Sequence, residues 1–198
     1  MRRGARVVVA LLLVSACKDA SIPPNTVDLG EAVLHSKHGR VIYPADKLPT
    51  LLLSDGERQP VKSMLNTPQP LKFGDYVWND DDVPAGPRWV RIDLSRQTLS
   101  IFRAGHEIGS AVILFGETTK PTPVGVFPIL QKKTEHRSTL YDADMPYMLR
   151  LTGDGVAVHA SNVRPGAATH GCIGVPLAFA RLLYDQVELR DRVAIVRS

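Results

Sequence analysis

The segment "GVAVHASNVRPGAATHGCIGVP", residues 155–176, holds two histidines and the single cysteine found in the body of the chain. Its first residues, "GVAVH", are small and apolar up to His159, which is the pattern of a short buried strand. Ten residues, 160–169, then precede the tripeptide His170-Gly171-Cys172. A strand that ends at His159 is therefore predicted, followed by a loop that brings Cys172 back beside that strand end, where sites are commonly placed.

A cysteine and a histidine placed in this way are typical of nucleophilic catalysis. A cysteine nucleophile needs a base or a cation within hydrogen-bond reach of its sulfur, and His159 is the candidate base. Gly171 has no side chain, so backbone N–H groups at 170–172 can approach a substrate carbonyl and stabilise an oxyanion. Two other interpretations stay open at this point: a zinc site made of His159, His170 and Cys172, and a buried structural cluster.

The N-terminus reads as an export signal. Three arginines in residues 2–6 precede the apolar run 7–14, which is too short to span a bilayer as a stable helix. The sequence "VSAC" at 14–17 resembles the bacterial lipobox, so we expect residues 1–16 to be removed and Cys17 to carry a lipid. An ordinary signal peptide beside a chance cysteine is the alternative. The protein is then expected in the periplasm, anchored to a membrane, with the outer membrane favoured by Lys18.

Removal of that signal changes the charge argument. The chain has 24 basic and 20 acidic residues, and without the three arginines of residues 2–6 the balance is 21 to 20. A nearly neutral mature chain gives no support to nucleic-acid binding, which needs a basic patch on the folded domain. With Cys17 acylated, Cys172 has no disulfide partner, and a lone cysteine in an exported protein is a candidate reactive thiol.

The pattern along the chain predicts a mainly β fold, a β-sandwich or barrel with one late helix. Residues 17–28 are polar with two prolines and indicate a tether, and residues 29–87 show no clear periodicity and stay unassigned. The histidines of "HSKH" at 35–38 and the aspartates of "NDDDVPAGP" at 79–87 fit a solvated surface better than a metal site. From residue 88 the strand candidates are "WVRIDLS", "TLSIFR", "IGSAVILF", "VGVFPIL", "YMLRL", "GVAVH" and "DRVAIV". Pro176 suits the first turn of a helix in which Leu177, Ala180, Leu182 and Leu183 lie on or near one face.

Three separated motifs carry a family resemblance. "KPTPVGVFPI" at 120–129, "MPYMLRLTGDGVAVHAS" at 145–161 and "THGCIGVP" at 169–176 occur in one order. Together they resemble the catalytic domain of the L,D-transpeptidases, the YkuD family, over about residues 88–198. The resemblance implies an enzyme that acts on peptidoglycan tetrapeptide stems through a thioester on Cys172 and joins an amine of a second stem to the acyl group.

The resemblance also implies roles for individual residues. His159 is the expected general base, with its ring oriented by the carbonyl of Ala160. His170, Gly171 and Cys172 are expected to supply the oxyanion-binding N–H groups, and Thr169 to fix the geometry of the loop. No cofactor and no metal are expected, and the expected partners are peptidoglycan stem peptides and the membrane that holds the lipid on Cys17.

Substrate contacts are expected from three more residues. Tyr147 and Met148 precede the strand that leads to the site and are predicted to line the substrate groove. Many members of the family carry Arg or Asn two residues after the cysteine, where this chain has Gly174, so Arg164 is a candidate for the basic contact.

That departure leaves the fate of the acyl group open. Hydrolysis by the same thioester route, as in an L,D-carboxypeptidase or an amidase, is one alternative. A zinc-dependent peptidase and a non-catalytic wall-binding lipoprotein are the others.

Overall fold

The computed structural model describes residues 35–37, 39–67, 69–116, 120–138 and 142–198. The predicted signal peptide, Cys17, the tether at 17–28 and His38 lie outside the described residues. The described part of the chain is built mainly of strands with one helix near its end, which confirms the predicted fold class. Within these residues, no helix is both long enough and apolar enough to cross a membrane.

The strands are short before residue 88 and longer after it. The six strands of the N-terminal region are β1 (His35–Lys37), β2 (Arg40–Ile42), β3 (Thr50–Leu52), β4 (Arg58–Pro60), β5 (Ser63–Leu65) and β6 (Tyr76–Trp78). The later elements are β7 (Arg88–Asp93), β8 (Thr98–Arg103), β9 (His106–Val112), β10 (Gly125–Pro128), β11 (Gln131–Lys133), β12 (Met148–Arg150), β13 (Ala157–Ala160), β14 (Ile173–Val175), α1 (Leu177–Gln186) and β15 (Arg192–Val196).

The main sheet of the described chain has the strand order β1-β2-β5-β9-β8-β7-β15-β10, and β6 also pairs with β9. Strands β7, β8 and β9 are consecutive antiparallel neighbours. The sequence predicted a strand in each of these three segments, and the pairing comes from the structure. Left-handed backbone at Gln97 (φ 53°) and at Gly105 (φ 87°) makes the two turns between them. The last strand, β15, runs parallel to β7 and places the C-terminus inside the sheet.

A second sheet, in the order β11-β12-β13-β14, carries the decisive segment. Strands β13 and β14 are parallel, with Val158 opposite Ile173 and His159 opposite Gly174. Because β14 runs in the same direction as β13, Cys172 lies beside Ala157 at the start of β13. The sequence predicted Cys172 beside the end of the strand that carries His159, and that prediction was wrong, because the parallel register places Cys172 beside the start of the strand.

The hydrophobic core fills the space between the two sheets and α1. From α1 it receives Phe179, Ala180 and Leu183, all nearly inaccessible to solvent. Leu177, which the sequence placed near the same face, is 59% exposed because it begins the helix outside the layer that the sheets cover. The second sheet contributes the alternate residues Leu149, Val158 and Ile173 to this core.

The N-terminal region adds to the main sheet directly. Strand β5 pairs with β2 on one side and with the start of β9 on the other. Strand β6 pairs with the later part of β9, residues 109–111. Beneath β3 and β4, the rings of Trp89 and Phe102 stack with centroids 4.1 Å apart in a small separate core. Arg192 of β15 also forms ion pairs of 2.7 Å with Asp55 and Glu57. The described residues before 88 are therefore packed onto the same sheet as the residues after it.

Candidate active site

Alternation along the second sheet places one row of reactive and polar side chains on a single face. Leu149, Val158 and Ile173 face the core, so their sequence neighbours project from the opposite face. There they line a cavity of about 450 Å³. Its lining includes Gln131, Met148, Arg150, His159 and Cys172, one or two from each of the four strands or strand ends.

The thiol of Cys172 is held at the floor of this cavity. It donates a long hydrogen bond of 3.8 Å from Sγ to the carbonyl of Gly155. Burial raises the pKa of the thiol above its ordinary 9.0, although the backbone N–H of Ala157 and the charge of Lys120 act in the opposite direction. At neutral pH the resting sulfur is therefore a protonated thiol, which needs a base in order to react.

His159 lines the same cavity and has the properties of that base. Its Nδ1 lies 2.8 Å from the carbonyl oxygen of Ala160, and because a carbonyl only accepts, the Nδ1 atom must carry the proton. The tautomer leaves Nε2 with a free lone pair. Burial lowers the pKa of His159 below its ordinary 6.5, with the Ala160 hydrogen bond opposing this shift and the charge of His136 adding to it. His159 is therefore neutral at pH 7.

The loop before Cys172 is fixed by a network that ends on Gly171. Gly171 has φ of 104°, a left-handed backbone that residues with a Cβ rarely adopt. Its carbonyl accepts a 3.0 Å hydrogen bond from the buried hydroxyl of Thr122. The Oγ1 atom of Thr122 in turn accepts a 2.8 Å hydrogen bond from the N–H of Gly116. Thr169 Oγ1 donates to the carbonyl of Cys172 at 2.5 Å. The peptide groups on both sides of Cys172 are thus held in place.

Two backbone donors lie in this loop beside the thiol. The N–H groups of Gly171 and Cys172 donate to no backbone carbonyl of the described residues. Two such donors next to a nucleophilic sulfur are the arrangement that stabilises a tetrahedral oxyanion. The site can therefore supply a nucleophile, a neutral base and an oxyanion-binding pair.

A family model matches the chain over this same region. The model for the L,D-transpeptidase catalytic domain, YkuD, matches residues 87–195, which is more than half of the 198 residues. The chain belongs to the YkuD family. No curated protein sequence matches it significantly.

Solved structures of L,D-transpeptidases share its fold. One from Stackebrandtia nassauensis is 23% identical with a TM-score of 0.52, and 60% of each chain is covered. One from Mycobacterium smegmatis is 19% identical with a TM-score of 0.53, over 78% of this chain and 69% of the other. L,D-transpeptidase 3 of Mycobacterium tuberculosis, in complex with a faropenem-derived adduct, is 22% identical with a TM-score of 0.50, over 57% and 60%. The chain thus spans less than two thirds of the first and third of these.

Several predicted site residues of this YkuD domain lie at the cavity. Cys172, His159, His170, Thr169 and Met148 line it. The carbonyl of Ala160 holds the His159 ring as expected, and Gly171 occupies the position that needs a glycine.

Two predicted substrate contacts lie elsewhere. The ring of Tyr147 packs edge-on against Tyr184 of α1, with centroids 5.7 Å apart. Tyr147 immediately precedes Met148, whose side chain lines the cavity, and the ring turns to the other side of the sheet. Arg164 is exposed in the loop after β13 and does not line the cavity. The expectations for these two residues are corrected accordingly.

The departure at Gly174 has a packing cause. A Cβ atom at this position would lie 2.7 Å from the Cβ of Ser161, closer than packed atoms approach. Gly174 also exchanges two 2.9 Å backbone hydrogen bonds with Leu114. Ser161 therefore occupies the space into which a larger residue at 174 would project.

Sequence reasoning missed other residues of the cavity. The further lining residues are Lys120, His136, Arg150 and Asp154. His136 lies between the quoted motifs, and the other three lie inside them, but nothing in those motifs alone indicated that their side chains meet in one cavity. Thr122 was within the quoted motif "KPTPVGVFPI", yet nothing in that motif alone indicated its bond to Gly171. The described residues contain no group of three or more His, Cys, Asp or Glu side chains placed to bind a metal ion.

Proposed function

We propose that this protein is a peptidoglycan L,D-transpeptidase in which Cys172 is the nucleophile and His159 the general base. The observation that carries the proposal is their presence in one cavity, with Nε2 of a neutral His159 left free by the bond from Nδ1 to Ala160. Membership of the YkuD family supports the reaction class. The substrate is a tetrapeptide stem whose third residue is a diamino acid and whose fourth is D-alanine.

In the first half-reaction, His159 Nε2 takes the thiol proton as the Cys172 sulfur attacks the carbonyl carbon of the third residue. The N–H groups of Gly171 and Cys172 bind the oxyanion of the tetrahedral intermediate. The C–N bond to D-alanine then breaks, and the departing amine receives the proton from His159. The products are a thioester on Cys172 and free D-alanine.

In the second half-reaction, an amine of a neighbouring stem attacks the thioester. His159 takes a proton from that amine and returns it to the leaving thiolate, so the thiol is restored and an amide crosslink is formed. Water in place of the amine releases a tripeptide, which is the carboxypeptidase alternative. Whether an amine or water is bound next to the thioester decides between crosslinking and hydrolysis.

Products from a defined donor test this proposal. The full chain, purified in detergent, is incubated with diaminopimelate-containing disaccharide-tetrapeptide, with Cys172→Ala and His159→Ala alongside. We expect crosslinked dimer and free D-alanine from the wild type and neither from Cys172→Ala. Tripeptide without dimer would favour hydrolysis, and binding of the stem without any turnover would favour a non-catalytic wall-binding protein.

A covalent probe tests the thiol separately from the donor. L,D-transpeptidase 3 of Mycobacterium tuberculosis holds a faropenem-derived adduct in its solved structure. Faropenem should therefore add mass to the wild-type chain and not to Cys172→Ala. Chelators should leave this labelling unchanged, whereas a zinc-dependent reaction would be lost on chelation.

We also propose that the protein is a periplasmic lipoprotein held by a lipid on Cys17. The arginines, the apolar run and the "VSAC" sequence of residues 1–17 support this proposal. Radiolabelled palmitate should enter the wild-type chain in bacteria and remain with the membrane fraction. Label retained in Cys17→Ala, or wild-type protein found only in the soluble fraction, would contradict it.

A further inference from the structure

Arg150 lies in the same row of the second sheet as the reactive thiol. It is opposite Ala157 on β13 and opposite Gln131 on β11. Cys172 lies one residue before Ile173, which pairs with Val158, and so Cys172 lies beside Ala157 on its other side. The Cα atoms of Arg150 and Cys172 are therefore two strand spacings apart, about 10 Å.

The residue between them carries only a small side chain. The methyl group of Ala157 is fully buried, in a cluster with Met145, Met148 and the partly buried Cys172. Both flanking side chains line the cavity, so the long Arg150 side chain and the Cys172 thiol face the same solvent-filled space. A group bonded within a few atoms of the carbon attacked by Cys172 lies within reach of the Arg150 guanidinium.

Among the residues that the structure describes, the guanidinium of Arg150 lacks the partners that comparable arginines have. Four arginines of the described chain have a buried Nε without a hydrogen-bond partner: Arg40, Arg91, Arg103 and Arg150. In the first three, terminal nitrogens donate to protein oxygens, as in the bonds from Arg91 to Asp93 and from Arg103 to Gln186. Arg150 makes no hydrogen bond or ion pair through its side chain with the described residues.

A partly buried cation without a partner is unfavourable unless an anion joins it. The other charged side chains among the described residues of the cavity do not supply that anion. Lys120 is also cationic, and Asp154 instead accepts a 2.5 Å hydrogen bond from Thr152. A planar guanidinium with free donors is suited to a carboxylate, which it binds through two parallel hydrogen bonds.

We propose that Arg150 is a specificity-determining residue that binds a carboxylate of the donor stem next to the scissile bond. The inference rests on the proposed function, since it places that stem over Cys172. The third and fourth residues of the proposed donor carry two carboxylates. One is the terminal carboxylate of the departing D-alanine, about 4 Å from the reacting carbon along the backbone. The other ends the side chain of the third residue.

The test measures kcat/KM for three donors with wild type, Arg150→Met and Arg150→Lys. The first donor is the native tetrapeptide, the second has a C-terminal D-alaninamide, and the third has an amidated carboxyl on the side chain of the third residue. The matched control is Arg181→Met, which removes an exposed arginine of α1 outside the cavity. Thermal unfolding of each variant verifies that it is folded.

With the native donor, Arg150→Met should lower kcat/KM by about 10- to 100-fold, the range for a hydrogen bond to a charged group. Arg150→Lys should recover part of the loss, and Arg181→Met should show none. With the donor that lacks the recognised carboxylate, wild type and Arg150→Met should have the same kcat/KM. The donor that gives this result identifies the carboxylate that Arg150 binds. Wild type should also turn over that donor less well.

An equal loss with all three donors, or no loss with any of them, would overturn the inference. If Arg150→Met does not fold, Arg150→Gln replaces it in the same comparison of donors. The ratio of kcat/KM values of wild type for the three donors gives a second measure that needs no variant. The proposed function fails separately, when wild type forms no Cys172-dependent product from any donor. If wild type is active and Arg150→Met has the same kcat/KM as wild type, only the role of Arg150 is refuted.

Discussion

Glu107 provides a quantitative test of the main sheet. Its carboxyl group is enclosed under the N-terminal strands, where Oε2 accepts a 2.9 Å hydrogen bond from the N–H of Leu65. Burial raises the pKa of Glu107 from its ordinary 4.5 to about 7, although the bonds from Ser100 and Leu65 and the nearby charge of Arg40 oppose this shift. Each pKa unit corresponds to about 1.4 kcal/mol, so the difference corresponds to about 3 kcal/mol of unfolding free energy.

The sign follows from where the proton is bound. Below pH 4.5 the carboxyl is protonated in both the folded and the unfolded chain, and this contribution to stability is fully present. As the pH rises towards 7, the unfolded chain loses the proton while the folded chain retains it, so the unfolding free energy falls. Above about pH 7 the folded chain must hold a buried carboxylate, and the contribution is lost.

Urea denaturation of wild type and Glu107→Gln between pH 4 and about pH 8 measures this effect. Glutamine keeps an acceptor for the Leu65 N–H but does not titrate, and the other ionisable groups cancel in the difference between the two curves. The wild type should lose about 3 kcal/mol relative to Glu107→Gln across this range. A flat difference, or one that rises with pH, would mean that Arg40 holds the carboxylate ionised and would refute the reasoning.

Three further predictions concern the active-site loop and its base. Thr122→Val should lower the unfolding free energy by about 1–3 kcal/mol and reduce kcat, because the Gly171 carbonyl and the Gly116 N–H lose their hydrogen-bond partner. Thr122→Ser keeps the hydroxyl and should retain the stability and the turnover of wild type. Equal losses in the two variants would contradict the role of the hydroxyl. Gly116→Ala would place a Cβ atom 2.5 Å from Gly171, so it should lower the unfolding free energy by about 1–3 kcal/mol and abolish turnover. The control is Gly153→Ala, whose added Cβ has no atom within 4 Å and which should be as stable as wild type. A stable, active Gly116→Ala would refute the close contact. Because burial lowers the pKa of His159, kcat/KM should decline with acid only below pH 6.5, and an acid limb centred above 6.5 would contradict a buried neutral base.

The fold after residue 88 was largely predictable from its pattern. Strands β7 and β8 have six residues each, which is long enough for the alternation of apolar and polar side chains to be visible. The strands before residue 88 have three residues each, too few to show a period. Their positions are set by pairing with β9 and with each other, which is a property of the assembled sheet.

The site was predictable only in part for a related reason. His159 and Cys172 lie in one segment with the family's motif around them, so the sequence identified both. Arg150 occupies an ordinary polar position of an alternating strand, and only the register of four strands brings it into the row with Cys172. Tyr147 was expected at the groove because it adjoins Met148, but neighbouring residues of an extended chain face opposite sides.

Intact-protein mass spectrometry of the full chain during reaction with the tetrapeptide donor tests the central claim most directly. We expect a transient species that is heavier than the free protein by the donor less one D-alanine, located on Cys172 by peptide mapping. That species should be absent from Cys172→Ala, and it should accumulate when the side-chain amine of the donor is blocked by acetylation, so that no acceptor amine is present. Turnover that persists in Cys172→Ala, or an acyl group found on another residue, would contradict the account.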